Sequence, residues 1–229
     1  MKTLRKFQLA AIFTVCILSL NAQISVGVKT GVNFADTNMD GIVTSLLPEQ
    51  TVYPGFTAGL IAELPLKNGF SFRPELNYIQ KGFVTQADIY DFELLGIDIP
   101  IGAKAKTRFN YIEMPLLFKY SIGNELAKVY FIGGPNVAYA ANAHIRPVAN
   151  LFVNINLPAV NLNLNDDIYQ RWELSGTIGA GGELKAGAGK IFADVRYTHG
   201  FTNMLSNPII EMKTKNQGFN LSAGYAYNF

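Results

Sequence analysis

From Ile24 onward the chain alternates, one residue at a time, between apolar and polar or very small side chains. Ile24, Val26, Val28, Val32 and Phe34 interleave with Ser25, Gly27, Lys29, Gly31 and Asn33. At the other end Phe219, Leu221, Ala223, Tyr225, Tyr227 and Phe229 interleave with Gly218, Asn220, Ser222, Gly224, Ala226 and Asn228. A period of two puts successive side chains on opposite faces of a strand. Eight segments read this way, at about 24–34, 53–64, 70–82, 108–121, 128–140, 170–184, 190–202 and 215–229. The connectors alternate as well. Those near 65–69, 122–126 and 185–189 are short, whereas 35–52, 83–107, 141–169 and 203–214 are long. Short turns at one end and long loops at the other match an outer-membrane barrel better than a soluble sandwich.

The composition of the two faces separates a membrane barrel from a soluble one. In a lipocalin-like barrel the bulky apolar residues line the cavity and the exterior is charged. Here the third segment sets Phe70, Phe72, Pro74, Leu76 and Tyr78 against Ser71, Arg73, Glu75, Asn77 and Lys81. The fourth sets Ile112, Met114, Leu116, Phe118 and Tyr120 against Tyr111, Glu113, Pro115, Leu117 and Lys119. An apolar, aromatic exterior around a small, salt-bridged interior predicts an all-β, eight-stranded antiparallel up-and-down transmembrane β-barrel. Its short turns are periplasmic and its long loops extracellular. Lipid offers an open sheet edge no partner, so the last strand is expected to close on the first. Aromatics are expected at two interface levels. Phe70, Tyr120, Tyr227 and Phe229 fall on the short-turn side, and Phe34, Phe56, Tyr78, Trp172, Tyr197 and Phe219 on the loop side.

The first 22 residues break the pattern. Lys2, Arg5 and Lys6 precede an apolar run from Phe7 to Leu20, and Leu20-Asn21-Ala22 stands before Gln23. This is the anatomy of a signal peptide, so the expected division is 1–22 signal and 23–229 barrel, exported to the outer membrane of a Gram-negative-type envelope. The only cysteine, Cys16, lies inside that segment, which leaves the rest of the chain without a disulfide or thiolate site. The formal charge of +2 also comes from it. Without residues 1–22 there are 16 basic and 17 acidic residues, which argues against a basic nucleic-acid or anionic-lipid binder.

Several stretches resemble the PorT-like outer-membrane β-barrel family. They are Gly27-Val28-Lys29 with Gly31 and Asn33, Gly55-Phe56 with Ala58-Gly59, and Pro74-Glu75-Leu76 through Lys81-Gly82. Tyr111-Ile112-Glu113-Met114-Pro115-Leu116 is similar to the family's Tyr-x-x-x-Pro-Leu signature, and Arg196-Tyr197 with Gly200 and Thr202-Asn203 follows. The terminal Tyr227-Asn228-Phe229 resembles the aromatic end read by the barrel-assembly machinery. The resemblance implies a small eight-stranded outer-membrane barrel and little about activity; the long segment 141–169 departs from a minimal member.

The polar faces collect Lys29, Glu63, Arg73, Glu75, Glu113, Lys119, Glu173, Glu183, Asp194 and Arg196 in the lumen. Such a set serves as an ion pathway or fills the interior as paired charges, and an eight-stranded circumference favours filling. The two histidines, His144 and His199, have no Ser or acid fixed beside them by the sequence, so a lipid hydrolase or acyltransferase at the rim is the alternative rather than the main reading. Gly179-x-Gly181-Gly182 lies inside a strand and signals close packing or strand bending, not a phosphate loop. No catalytic, cofactor or metal residues are assigned. The expected function is that of a structural or interaction protein working through loops at about 83–107 and 141–169, and not an enzyme. Its expected partners are outer-membrane lipid, the barrel-assembly machinery and a protein at the extracellular loops, with no nucleic acid and a monomeric state. Segments 83–107 and 148–165 alternate internally and are expected to continue the strands beyond the membrane. The second is expected to fold as a hairpin about Pro158-Ala159.

Overall fold

The computed structural model describes residues 24–40, 50–52, 54–94, 97–150, 154–162, 164, 170–202 and 213–229. The expected signal segment 1–22 lies outside the described residues. The strands are β1 (Ser25–Asp40), β2 (Gln50–Val52), β3 (Gly55–Pro65), β4 (Phe70–Leu94), β5 (Ile97–Gly123), β6 (Ala127–Asn150), β7 (Asn154–Asn156), β8 (Val160–Leu162), β9 (Trp172–Ala186), β10 (Gly189–Gly200) and β11 (Lys213–Asn228). Eight of them make the wall, in the order β1, β3, β4, β5, β6, β9, β10, β11, each antiparallel to the next. β11 then pairs with β1 from Ser25↔Asn228 to Asp40↔Lys213, which closes the cylinder. The predicted closure and strand number both hold.

Alternation places the side chains. On β5, Ile112, Met114, Phe118, Tyr120 and Ile122 are exposed, while Glu113, Leu117 and Lys119 between them are buried. The same holds for exposed Val26, Val28 and Val32 against buried Ser25, Lys29 and Asn33 on β1. The exterior aromatics group as expected. At the short-turn end Phe70 packs on Tyr120 at 4.7 Å and Tyr227 on Phe229 at 4.9 Å. At the loop end Phe219 packs on Tyr197 at 5.1 Å and Trp172 on Tyr139 at 5.0 Å.

The expected strand extensions are present, and one reading of the sequence needs correction. The connectors 83–107 and 141–150 are strand: β4, β5 and β6 run for 25, 27 and 24 residues, where crossing a bilayer takes about 9–11. β4 and β5 stay paired up to Leu94↔Ile97, and β5 and β6 up to Gly102↔Asn150, so the expected outward extensions do pair with each other. The hairpin about Pro158-Ala159 is absent. β7 pairs with β6 through Val148↔Asn156, and β8 through Ala143↔Leu162. Both belong to one returning path along the edge of β6, and Pro158-Ala159 interrupts it. The cause is the edge of β6 above Tyr139, where β9 begins with Trp172; its backbone groups need partners, and the returning chain supplies them.

Candidate functional site

All ten residues assigned to the lumen are buried there. Their partners form three tiers along the barrel. Nearest the short turns, Lys119 and Lys190 each reach both Glu63 and Glu183; the Lys190 contacts are 2.8 and 3.0 Å. Ser71 also donates to Glu63 at 3.3 Å.

The middle tier is the densest. Arg196 grips Glu75 with both terminal nitrogens, at 2.7 and 2.9 Å, and reaches Asp194 at 2.7 and 2.9 Å. Lys29 joins Glu75 at 2.7 Å and Arg73 joins it at 2.9 Å. Tyr130 and Ser222 donate to Asp194 at 2.9 and 2.8 Å. In the third tier, toward the loops, Lys81 bridges Glu113 at 2.8 Å and Glu173 at 3.1 Å.

The charges balance across the three tiers. The first sets two cations against two anions, the second three against two, and the third one against two. The sequence reading put six acids and four bases in the lumen; Lys81 and Lys190 supply the two missing cations. Burying this many ions requires such pairing, because each unpaired charge carries a desolvation cost of several kcal/mol.

The interior is bulkier than expected. Tyr111, Tyr130, Phe192, Ile61 and Leu117 are buried inside it, and the cations lie over the rings. Arg73 sits 4.4 Å from the Phe192 centroid, Lys119 4.5 Å from Tyr130 and Lys81 4.6 Å from Tyr111. Glycine makes the room. A Cβ on Gly181 would stand 2.5 Å from the Tyr130 ring, and one on Gly224 2.6 Å from Phe192. Gly179 and Gly181 therefore serve packing, as predicted, whereas Gly182 does not, since a Cβ there would come no nearer than 3.8 Å to the Lys128 carbonyl.

Between the middle and third tiers a cavity of about 30 Å³ remains, lined by Lys29, Asn77, Lys81, Glu113, Arg196 and Asn220 among others. That is the scale of a water molecule or two. The side-chain amide of Asn220 opens on it without a protein partner among the described residues.

The histidines sit apart from the lumen. His199 stands between the rings of Tyr197 and Phe201, at 6.5 and 5.9 Å. His144 lies on the extended part of β6, opposite Arg108. Partial burial, with Arg108 and Arg146 adding to it, pushes its pKa below the usual 6.5. Among the described residues no three His, Cys, Asp or Glu converge as a metal-holding group. No helix is long and apolar enough to cross a membrane, which leaves crossing by strands untouched.

A family model described as outer membrane protein beta-barrel domain matches residues 19–206. No curated protein sequence matches the chain. Among solved structures, the chain is similar to Neisserial surface protein A from Neisseria, at 12% identity and TM-score 0.47, over 91% of this chain and 98% of that one. The outer membrane protein OprG from Pseudomonas aeruginosa matches at 11% identity and TM-score 0.44, over 91% and 96%. Ail, the attachment invasion locus protein of Yersinia pestis, matches at 14% identity and TM-score 0.41, over 90% and 100%.

Proposed function

This chain belongs to the outer membrane protein beta-barrel domain family and is a β-barrel protein of the outer membrane; from that premise we propose that it is a plugged anchor presenting a strand-built extracellular surface to a protein partner. The height of β4, β5 and β6 carries this reading. More than half of each lies beyond the 9–11 residues a membrane crossing needs. A barrel whose only task is to span gains nothing from that length, whereas a binding surface held on a rigid sheet does. Ile155, Leu157 and Val160 on the returning path are exposed. Among the described residues β7 and β8 pair only with β6, so their outer edge suits a partner strand added by β-augmentation.

The buried ion network supports the anchor half of the proposal, since it occupies the route an ion pathway would take. The alternative, a rim enzyme acting on lipid, gains nothing from His199, whose ring neighbours are Tyr197 and Phe201. Within the family, Tyr111 through Leu116 supports placing the chain in the PorT-like branch. Signal cleavage after Ala22, a monomeric state and recognition of Phe229 by the assembly machinery belong to the same proposal.

The test replaces 86–104 and 146–167 by short Gly-Ser turns. The shortened barrel is expected to remain in the outer-membrane fraction and keep its heat-modifiable mobility, while proteins cross-linked to the native chain in intact cells are lost. Loss of the barrel, or an unchanged cross-linking pattern, contradicts the proposal.

A further inference from the structure

Two asparagines in the lumen hold side-chain atoms that the protein leaves unpaired. Both polar atoms of Asn220 and the Oδ1 of Asn77 are buried without a hydrogen-bond partner among the described residues. The two residues are only 8% and 3% exposed. Asn220 stands opposite Arg196 on one side of β11 and opposite Asn33 on the other. Arg196 turns all three of its nitrogens to Glu75 and Asp194. The Asn33 Nδ2 donates instead to the Gln80 carbonyl, at 3.1 Å. Both cross-strand neighbours thus direct their donors elsewhere. A buried amide left in this condition is costly, so its retention calls for a ligand.

Both asparagines line the cavity of about 30 Å³ between the middle and third tiers, and so do Lys29 and Lys81. An ammonium group carries three donors. Among the described residues Lys29 meets one acid, Glu75, and Lys81 meets two, Glu113 and Glu173. Each lysine therefore keeps a proton for an acceptor placed in the cavity. The walls thus offer donors from Asn220, Lys29 and Lys81, and acceptors from Asn220 and Asn77. A water molecule, which both donates and accepts, satisfies such a mixed set.

We propose that this cavity is a binding site for ordered water, held by the amides of Asn220 and Asn77 and shared with the ammonium groups of Lys29 and Lys81. Charge selects water over an ion. The three tiers together bury six cations and six acids. Every ion on the cavity wall already has an opposite partner. A further ion would stand unpaired in the lumen, a cost that a neutral dipole avoids. The unequal tiers also orient that dipole. The middle tier carries three cations against two acids and the third one against two. The water oxygen therefore turns toward the middle tier and its protons toward the third. Bound in this way, water bridges the two tiers and is a structural part of the filled interior.

The experiment has two arms, both on the full chain. The first is a crystal structure sharp enough to show ordered water, from crystals soaked in bromide and in rubidium. A density peak within hydrogen-bonding distance of the Asn220 amide, without anomalous signal from either ion, is expected. An empty cavity overturns the proposal, and so does bromide or rubidium at that position. The second arm is urea unfolding in lipid vesicles. Asn220→Leu keeps the bulk of the side chain and removes both of its polar atoms, whereas Asn220→Ala leaves room for more water. The urea midpoint is expected to fall from the native chain to Asn220→Ala and further to Asn220→Leu. A dry cavity reverses the two variants, because leucine fills space that alanine empties. A midpoint for Asn220→Leu at or above that of Asn220→Ala therefore overturns the proposal. If Asn220→Leu fails to assemble, the crystallographic arm decides alone.

Discussion

Glu75, itself buried, gathers three cations, Lys29, Arg73 and Arg196, at 2.7 to 2.9 Å. Removing it leaves those cations with Asp194 alone, so Glu75→Ala is expected to destabilise the barrel by about 3–5 kcal/mol, read from urea unfolding in lipid vesicles. The exterior obeys the opposite rule. Ala223 is exposed, midway along β11 between the interface aromatics Phe219 and Tyr227, so Ala223→Arg is expected to cost about 2–4 kcal/mol by the same measurement, the figure for a charge at the bilayer midplane. Alternation alone made most of these positions legible, because one parity decides lumen or lipid for a whole strand. It did not reveal which bulky residues the lumen admits. Tyr130 fits because Gly181 lies across from it, and Phe192 because of Gly224; those neighbours are known only once the register is. Lys190 escaped notice for a related reason: it adjoins the turn at Gly187, where a strand boundary is hardest to place.

Strand extensions were legible as alternation in 83–107 and 148–165, although the path of the second was not. Pro158-Ala159 has the composition of a turn, but the open edge of β6 above Tyr139 draws both flanking pieces onto itself. The bulge at Ala141 was equally hidden. By parity His144 and Arg146 belong to the lumen phase of β6, and the single inserted residue moves them to the face that carries Lys106 and Arg108. Deleting Ala141 should restore the phase and turn both side chains inward. The expected result is an intact barrel, by heat-modifiable mobility, in which a cysteine in place of His144 is labelled by a membrane-impermeant maleimide far less than the same cysteine in the undeleted chain. Equal labelling of the two would show that the bulge does not set the face.

At the scale of the whole molecule, one closed sheet separates two environments. Outside is a band of aliphatic and aromatic side chains, and inside a core of charges that cancel only when all three tiers are counted together. Closure depends on β1 and β11, the most distant strands in sequence, and on a final contact in which the Phe229 N–H donates to the Ile24 carbonyl at 2.9 Å. The fold was legible at this scale because lipid permits so few solutions: a fully paired, closed sheet with its apolar face outward. The proposed function was less so, since it rests on the register of the extensions and not on any motif. The claim that binds these levels is that the interior is filled, so the protein anchors and does not conduct. Conductance of the purified chain in planar bilayers tests it most directly. A baseline without steady open levels is the predicted result, and a large, stable, porin-like conductance would contradict it.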